Sequence, residues 1–205
     1  ERGGPDLILL GLDRLDYTKG IERRIQAVTE LLTAPDCADR DVQFIQVATP
    51  SRTGLEIYRR LRLTVEDAVR AANARLTQAG RRPIEYVCDH FSVEDVVALY
   101  GAADVMLVTP LCDGMNLVSK EYVASRPNGD GRLVLSRAAG AAAELTDAWL
   151  VDSADPVDLA RGIRAAVCAS DQDARARMAA LQRVVFDGDA AAWATAFLAA
   201  LRHAP

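Results

Sequence analysis

The stretch DLILLGLDRLDYTKG, residues 6–20, contains in order a strand, a polar loop and the approach to a helix. Residues 6–13 are apolar enough to form a buried parallel strand. The following helix, predicted over 21–32, carries its apolar side chains at positions 21, 25, 28, 31 and 32, which form one stripe. A buried strand that leads into an amphipathic helix is the repeating unit of an α/β fold.

The same alternation continues along the whole chain. Further strands are predicted at 42–49, 84–89, 104–110, 131–136 and 149–152, and further helices at 55–77, 92–100, 116–125, 155–168, 172–186 and 190–202. Ser92 with Asp95 predicts a capping box, and Asp155 before Pro156 predicts another capped helix start. The pattern predicts one Rossmann-like domain over residues 1–205, a doubly wound parallel α/β sheet with helices on both faces.

Composition and charge disfavour several classes of function. The formal net charge of −5 argues against a nucleic-acid or anionic-membrane surface, although it allows one bound nucleotide. No apolar run approaches the roughly 20 residues that cross a bilayer. The first residues, ERGGPD, lack the layout of a secretory signal. We therefore expect a cytoplasmic protein with reduced cysteines, and a piece of a longer chain.

Polar loops at the carboxyl ends of the predicted strands are the places to look for a ligand, because doubly wound sheets bind ligands there. This rule selects residues 13–20, 49–53, 88–92 and 109–116. Lysine usage points to the same region. Only two of the 24 basic residues are lysine, Lys19 and Lys120, and both fall in or just after these loops.

The loop after the first strand carries two cations, Arg14 and Lys19, and ends at Gly20. Arginine offers a fork of donors to phosphate oxygens and lysine a compact charge, so both can face one anion, with Asp13 and Asp16 placed to orient them. The alternative is a solvated loop whose arginine and aspartates pair with each other. Neither G-x-G-x-x-G nor a Walker A motif is present, which disfavours nicotinamide and P-loop chemistry.

The segment DGMNLVSKE, residues 113–121, follows the fourth strand and opens a helix. Gly114 allows the backbone to approach a ligand closely. Free amides at 114–117 would form an anion or hydroxyl site at the helix N-terminus. Asp113 is placed to accept hydrogen bonds from sugar hydroxyls. The alternative is that Asp113 only caps the helix.

Glu121 lies one helical turn beyond Leu117 and therefore on the same helix face. From that position it is able to reach a second diol of the same ligand. The alternative is that Glu121 only pairs with Lys120 or with an arginine.

Several motifs carry a resemblance to a known family: D-R-L-D-Y-T-K-G at 13–20, P-S-R at 50–52, V-T-P at 108–110, D-G-M-N-L-V-x-K-E at 113–121, L-V-L-S at 133–136 and A-G-A-A-x-E-L at 139–145. Together they resemble the trehalose-6-phosphate synthase family of retaining glycosyltransferases, from about Leu9 to Leu201. The resemblance implies a GT-B enzyme with two Rossmann-like halves. This chain resembles the C-terminal, donor-binding half, and the N-terminal acceptor domain is absent from it.

The resemblance also implies roles for individual residues. Arg14 and Lys19 bind the donor diphosphate and act as the catalytic cations, and Arg52 reaches the phosphate of the acceptor. The other donor-binding residues are one aromatic residue beside the base and the helix-opening segment: Phe91, Asp113, Gly114, Met115, Asn116, Leu117, Val118, Ser119, Lys120 and Glu121. Within this set, Asp113 to Asn116 hold the glucosyl hydroxyls, Leu117 and Val118 lie beside the phosphates, and Glu121 holds the ribose. Cys112 departs from the arginine that the family commonly has there.

The implied reaction transfers glucose from a nucleotide-glucose, with UDP-glucose expected, to glucose 6-phosphate with retention, giving trehalose 6-phosphate. No D-x-D-like motif lies at a strand end, so we expect no metal ion and no cofactor. Related synthases with another acceptor stay open, namely a glucosylglycerol-phosphate synthase or a cyclitol-joining pseudo-glycosyltransferase. A silent nucleotide-sensing domain, a dinucleotide-binding oxidoreductase and assembly into a homo-oligomer also stay open.

Overall fold

The computed structural model describes residues 3–35, 40–188 and 190–202, and a parallel sheet lies at its centre. The six strands are β1 (Leu7–Arg14), β2 (Val42–Thr49), β3 (Glu85–Val87), β4 (Val105–Val108), β5 (Arg132–Ser136) and β6 (Trp149–Val151). Their spatial order is β3-β2-β1-β4-β5-β6, and every neighbouring pair is parallel. The predicted doubly wound sheet is confirmed. Its order reverses between β1 and β4, and the crevice outside the carboxyl ends of these two strands is where doubly wound sheets bind ligands.

The described residues form seven helices around this sheet: α1 (Ile21–Thr33), α2 (Glu56–Gln78), α3 (Val93–Ala102), α4 (Leu117–Ala124), α5 (Pro156–Cys168), α6 (Asp171–Asp187) and α7 (Ala190–Arg202). Each corresponds to a predicted helix, with ends displaced by only a few residues. The third and fourth strands were overestimated most, by three residues each: the fourth was predicted over 104–110, whereas β4 covers Val105–Val108. The third was predicted over 84–89, but β3 pairs only with β2 and has three residues.

The sheet separates two apolar clusters, which explains why its central strands are apolar throughout. Leu9 and Leu10 are neighbours in β1, and they are 0% and 1% exposed. Leu9 packs in the cluster that includes α1, α2 and α5, whereas Leu10 packs in the one that includes α3, α4 and α6. Successive side chains of a strand point to opposite faces, so both faces of β1 need apolar residues.

Two predicted helix caps are present, and they fix the starts of α3 and α5. The Asp95 N–H donates to Ser92 Oγ at 3.1 Å, and the Ser92 N–H donates to Asp95 Oδ2 at 3.3 Å. Asp155 accepts from the Val157 N–H at 2.9 Å, with Pro156 in the first turn of α5. The first cap places Phe91 directly before α3, in the loop that follows β3.

Two further expectations concern the environment of the chain. Within the described ranges, no single helix is long and apolar enough to cross a membrane, and α6 with residues 191–202 has that length and composition only as a pair bent by 48°. Cys88, Cys112 and Cys168 are free thiols. Cys37 lies outside the described residues.

Candidate functional site

The loops that follow β1 and β4 meet at the carboxyl edge of the sheet. The Leu111 N–H donates to the Thr18 carbonyl at 2.7 Å. Gly20 permits this approach, because a Cβ at that position would lie 2.9 Å from the Thr109 carbonyl oxygen. Its φ of 64° also lies in the left-handed region that favours glycine. Two of the four loops that were selected at the carboxyl ends of the strands, 13–20 and 109–116, are therefore in direct contact.

An ion pair joins the two segments. Lys19 Nζ donates to Asp113 Oδ2 at 2.6 Å, and these side chains are 13% and 17% exposed. Asp113 also accepts from Asn116 Nδ2 at 3.0 Å and from the Met115 N–H at 3.3 Å. Burial raises the pKa of Asp113, but the hydrogen bonds from Lys19, Met115 and Asn116 outweigh burial and hold the pKa below its ordinary value. Asp113 is therefore an ionised acceptor at neutral pH.

The start of α4 is capped by Asn116, and not by Asp113 as the alternative interpretation required. Asn116 Oδ1 accepts from the Ser119 N–H at 3.0 Å. Its φ of 78° is left-handed, a conformation that asparagine tolerates better than most residues. Ser119 is fully buried, and its hydroxyl donates to the Asn116 carbonyl at 2.8 Å. Ser119 thus stabilises the start of α4 from inside the protein. A direct contact between Ser119 and the nucleotide-sugar stays a prediction.

The middle of the segment presents an open surface. Met115 and Leu117 are each 57% exposed, and Val118 is half-buried. Apart from Gly114 itself and its two chain neighbours, no described residue has an atom within 4 Å of the place where a Cβ on Gly114 would stand. The backbone at Gly114 is therefore accessible to a ligand from the crevice.

Glu121 and Lys120 do not pair with each other. Glu121 is exposed and accepts from the Tyr100 hydroxyl at 2.9 Å, whereas Lys120 Nζ pairs with Glu144 at 2.8 Å. Glu121 also lines a cavity of about 400 Å³ together with Phe91. The remaining lining of this cavity is mostly apolar and comes from α3 and α4: Ser92, Val93, Val96, Val97, Tyr100, Ala124 and Ser125. The structure therefore brings Phe91, from the loop after β3, and Glu121, from α4, to one cavity.

Arg14 ends β1 as an exposed residue, and its register partner in β2 is Thr49. The loop that carries Arg52 follows Thr49, so the two arginines lie on neighbouring strand ends. Within the described ranges there is no ion pair between Arg14 and Asp13 or Asp16. The alternative of a loop closed by its own arginine–aspartate pairs is therefore not what forms.

Arg52 belongs to a chain of contacts that reaches the loop of Lys19. Its guanidinium lies 5.5 Å from the ring centre of Tyr58 and donates to the Tyr58 hydroxyl at 2.8 Å. That hydroxyl donates to Asp16 Oδ2 at 3.2 Å, and Asp16 Oδ1 accepts from the Thr18 N–H at 3.0 Å. Burial raises the pKa of Asp16, but the hydrogen bonds from Thr18 and Tyr58 lower it below its ordinary value.

Arg24, which the sequence interpretation missed, is fully buried under the site. It donates to Asp13 Oδ2 at 2.6 Å, to Gln46 Oε1 at 3.0 Å, to Thr109 Oγ1 at 2.9 Å and to the Lys19 carbonyl at 3.3 Å. The expectation that Asp13 orients Arg14 or Lys19 directly is therefore wrong. Asp13 is buried and pairs with Arg24; burial raises its pKa, and the Arg24 charge opposes that rise only in part.

A signal for Arg24 was present in the sequence. The residue lies between Ile21 and Val28 on the apolar stripe of α1, where a charged side chain needs a buried partner. Gly140 is a second missed residue. Its N–H donates to the Asp113 carbonyl at 3.0 Å, and a Cβ at Gly140 would lie 2.3 Å from the Gly114 carbonyl oxygen. The segment at 113–115 thus packs directly on the backbone after β5.

Metal-ligating side chains are not grouped at this site. Within the described ranges, no three or more histidine, cysteine, aspartate or glutamate side chains are arranged to hold a metal ion. Cys112, directly before Asp113, is an exposed free thiol.

Comparison with known proteins identifies the family. The model of glycosyltransferase family 20 matches residues 2–203. The chain belongs to glycosyltransferase family 20. It is 46% identical over 205 residues to a trehalose-6-phosphate synthase of Mycobacterium leprae (strain TN), and this alignment covers all of the chain and 41% of that relative. The family-20 chain thus spans less than half the length of this curated relative.

Two solved structures resemble the family-20 chain in fold. A structure described as trehalose-6-phosphate from E. coli bound with UDP-2-fluoro glucose superposes with a TM-score of 0.90 at 34% identity, covering 97% of this chain and 44% of that one. An alpha,alpha-trehalose-phosphate synthase (UDP-forming) from Burkholderia xenovorans, in complex with glucose-6-phosphate, has a TM-score of 0.88 at 34% identity and covers 96% and 43%.

Proposed function

We propose that this chain is the donor-binding half of a retaining glycosyltransferase that transfers glucose from UDP-glucose to glucose 6-phosphate, giving trehalose 6-phosphate. The Lys19–Asp113 contact carries the proposal: a lysine cation and a carboxylate lie 2.6 Å apart at the switch point of the sheet, and we assign the cation to the donor phosphates and the carboxylate to the sugar. The M. leprae relative, the E. coli structure with UDP-2-fluoro glucose and the B. xenovorans structure with glucose-6-phosphate support it.

The donor lies across the loops after β1, β3 and β4. Arg14 and Lys19 bind the diphosphate, and Asp113 with the backbone at Gly114 to Asn116 holds the glucosyl hydroxyls by hydrogen bonds. Glu121 binds the ribose and Phe91 lies beside the uracil, which agrees with the cavity that both residues line. Leu117 and Val118 lie beside the phosphates. Lys120 and Ser119 keep their contacts with Glu144 and Asn116 and support this segment.

The cations stabilise the leaving group during the reaction. As the bond between the glucosyl C1 and the phosphate oxygen breaks, negative charge develops on UDP, and positioned cations favour that state. In this proposal Arg14 and Lys19 take the place of a metal ion. Asp113 already holds the Lys19 side chain in the crevice, so little conformational freedom of this side chain is lost when the donor binds.

Retention follows from an attack on the same face as the departing phosphate. Asp113 is an unsuitable nucleophile because Lys19, Asn116 and the Met115 N–H all donate to it. The hydroxyl oxygen of the acceptor instead forms the new bond to C1 beside the leaving diphosphate. Its proton passes to the phosphate oxygen that leaves. Arg52 binds the phosphate of the acceptor, and an N-terminal domain supplies the rest of the acceptor site. We expect the enzyme to act in the cytoplasm, and self-association stays open.

Calorimetric titration of the chain tests the donor assignment. We expect UDP and UDP-glucose to bind more tightly than GDP, ADP or NAD. Arg14→Ala should weaken UDP binding about tenfold or more, since a charged hydrogen bond is lost, and leave the binding of uridine, which has no phosphate, unchanged. Arg70→Ala is the matched control, because Arg70 is an exposed arginine of α2 paired with Asp67. Equal affinity for NAD and UDP, or full UDP affinity in Arg14→Ala, contradicts the proposal.

A further inference from the structure

Tyr100 lies buried beneath the exposed carboxylate of Glu121. Its side chain is in the apolar cluster between the sheet and α3, α4 and α6, and the residue is 2% exposed. Its hydroxyl donates to Glu121 Oε2 at 2.9 Å. Both residues line the cavity beside Phe91. The one polar atom of a core residue is therefore directed at a group on the surface of the proposed donor site.

The surrounding core fixes the position of this hydroxyl. The Tyr100 ring packs edge-on against Tyr122, with ring centres 6.2 Å apart and planes at 75°. Arg126 donates to the Tyr100 carbonyl at 2.9 Å, and the Ser92 cap fixes the other end of α3. A ring held on several sides has one rotamer available, so the hydroxyl cannot follow a carboxylate that moves away.

The direction of the hydrogen bond is fixed as well. Burial raises the pKa of Tyr100, and the nearby charge of Glu121 raises it further. Tyr100 therefore keeps its proton, and its single O–H is given to Glu121 Oε2. Within the described ranges, Oε1 of Glu121 has no hydrogen-bond donor of its own, so this oxygen is available to a ligand.

We propose that Tyr100 is a positioning residue that holds the Glu121 carboxylate in the orientation that binds the ribose diol, and that it thereby sets the preference of the site for ribonucleotides. The inference rests on the proposed ribose role of Glu121. A glutamate on a helix surface otherwise samples several rotamers, and a ligand that needs one of them binds more weakly. Tyr100 selects that rotamer before the ligand arrives.

Titration of the chain with UDP and with 2′-deoxy-UDP tests the proposal, with Tyr100→Phe as the variant. This change removes one oxygen and keeps the ring. We expect UDP affinity to fall about three- to tenfold, as for one hydrogen bond, and 2′-deoxy-UDP affinity to change much less. The ratio of the two affinities should therefore shrink towards that of Glu121→Ala. In the Glu121→Ala background, adding Tyr100→Phe should leave the ratio unchanged.

Tyr122→Phe is the matched control. It removes a hydroxyl from the same apolar cluster, but that hydroxyl donates to the Ala103 carbonyl at 3.1 Å and makes no bond to Glu121. We expect the ribose preference of Tyr122→Phe to equal that of the unchanged chain. If Tyr100→Phe weakens both nucleotides equally, Tyr100 acts through stability alone and the proposal is overturned.

The same titrations separate this proposal from the proposed function. If UDP binds but Glu121→Ala keeps the full preference for ribose, the Glu121 assignment fails while the phosphate site stands, and Tyr100 loses its role with it. If the unchanged chain binds no UDP, the proposed function and this inference are both overturned. Thermal unfolding of each variant confirms that the fold is intact.

Discussion

At the scale of single residues, the negative charge of Asp113 holds the two segments of the site together. It accepts from Lys19, Asn116 and the Met115 N–H, so one carboxylate joins the loop after β1 to the start of α4. The ionised form makes all three contacts, and its pKa lies below the ordinary value of 3.8. Stability and site geometry should therefore change together when this group takes up a proton.

We expect Asp113→Asn to lower the free energy of unfolding near pH 7 by about 1–2 kcal/mol, because Lys19 loses a charged acceptor. A carboxylate with a lowered pKa in the folded chain stabilises it above the pKa of the unfolded chain, and this contribution is lost as the pH falls through the lower folded value. Urea unfolding of both proteins at several pH values measures the difference. The difference between the two free energies of unfolding should be constant from about pH 7 to 5 and shrink below about pH 4.

Asp16 also has a lowered pKa. Because Asp16 is present both in the unchanged chain and in Asp113→Asn, its contribution cancels in the difference between their free energies of unfolding. A difference that stays the same into strong acid would show that the substitution acts through packing and not through charge.

Gly140 offers a test of how the sugar-binding segment is held. A Cβ there would stand 2.3 Å from the Gly114 carbonyl oxygen, so Gly140→Ala must displace residues 113–115. We expect a loss of about 1–3 kcal/mol in stability, as for other overpacked positions. Affinity for UDP-glucose should fall more than affinity for UDP, because the displaced segment contacts the sugar in the proposed function.

The control for this change is Gly101→Ala. Gly101 lies in α3 with nothing within 4 Å of a Cβ position, and alanine there should be neutral or stabilising by up to about 1 kcal/mol. If Gly140→Ala leaves the two affinities in their original ratio, the sugar does not lie against this segment.

At the scale of elements, the sequence predicted most of what the structure contains. The strands and helices follow from periodicity, because a parallel strand buried on both faces is apolar throughout and its helices are apolar on one stripe. The caps of α3 and α5 follow from Ser92 and Asp155, since capping is local in the chain. The contacts of Arg24 could not be predicted in detail, because they join positions as distant as Thr109.

Arg24 joins α1 to Asp13 in β1, to Gln46 in β2 and to Thr109 directly after β4, so its removal should weaken the packing of α1 on all three strands. Arg24→Met leaves Asp13 buried without its partner, and we expect a loss of about 3–5 kcal/mol. Replacing both charges, as Asp13→Asn with Arg24→Met, should cost less than the single change. A double-mutant cycle from urea unfolding gives the coupling between the two residues.

Arg23→Met is the control at the neighbouring position. Arg23 has an exposed contact with the Ala154 carbonyl, and surface changes of this kind are usually within about 0.5 kcal/mol. Additive losses in the cycle would mean that the buried pair does not hold the strand ends together.

At the scale of the whole molecule, the site is made by topology. Lys19 and Asp113 are 94 residues apart in sequence, and they meet because the reversal of strand order puts β1 beside β4. The position of both segments at the ends of parallel strands was enough to predict that they lie at one edge of the sheet, but it did not predict the partners of Asp13 and Glu121, which are Arg24 and Tyr100. Those partners depend on side-chain packing between elements, which a single sequence does not reveal.

The open crevice leads to a prediction about what the chain does alone. Arg14 and Arg52 are exposed, and the chain spans 41% of the M. leprae relative. Transfer requires an oriented acceptor and the exclusion of water, which closure of a second domain provides. We expect the chain alone to bind UDP, but to form trehalose 6-phosphate at least about 100-fold more slowly than a chimera with the remaining part of that relative.

Product formation from UDP-glucose and glucose 6-phosphate, measured for the chain and for the chimera, checks this expectation. Arg14→Ala in the chimera shows whether the product arises at the site described, and its kcat should fall by about 10²–10³-fold because a cation on the leaving diphosphate is lost. Equal rates with and without the added part would mean that the crevice between β1 and β4 already contains a complete acceptor site. The division of the reaction between two halves would then be wrong, and Arg52 alone would have to account for acceptor binding.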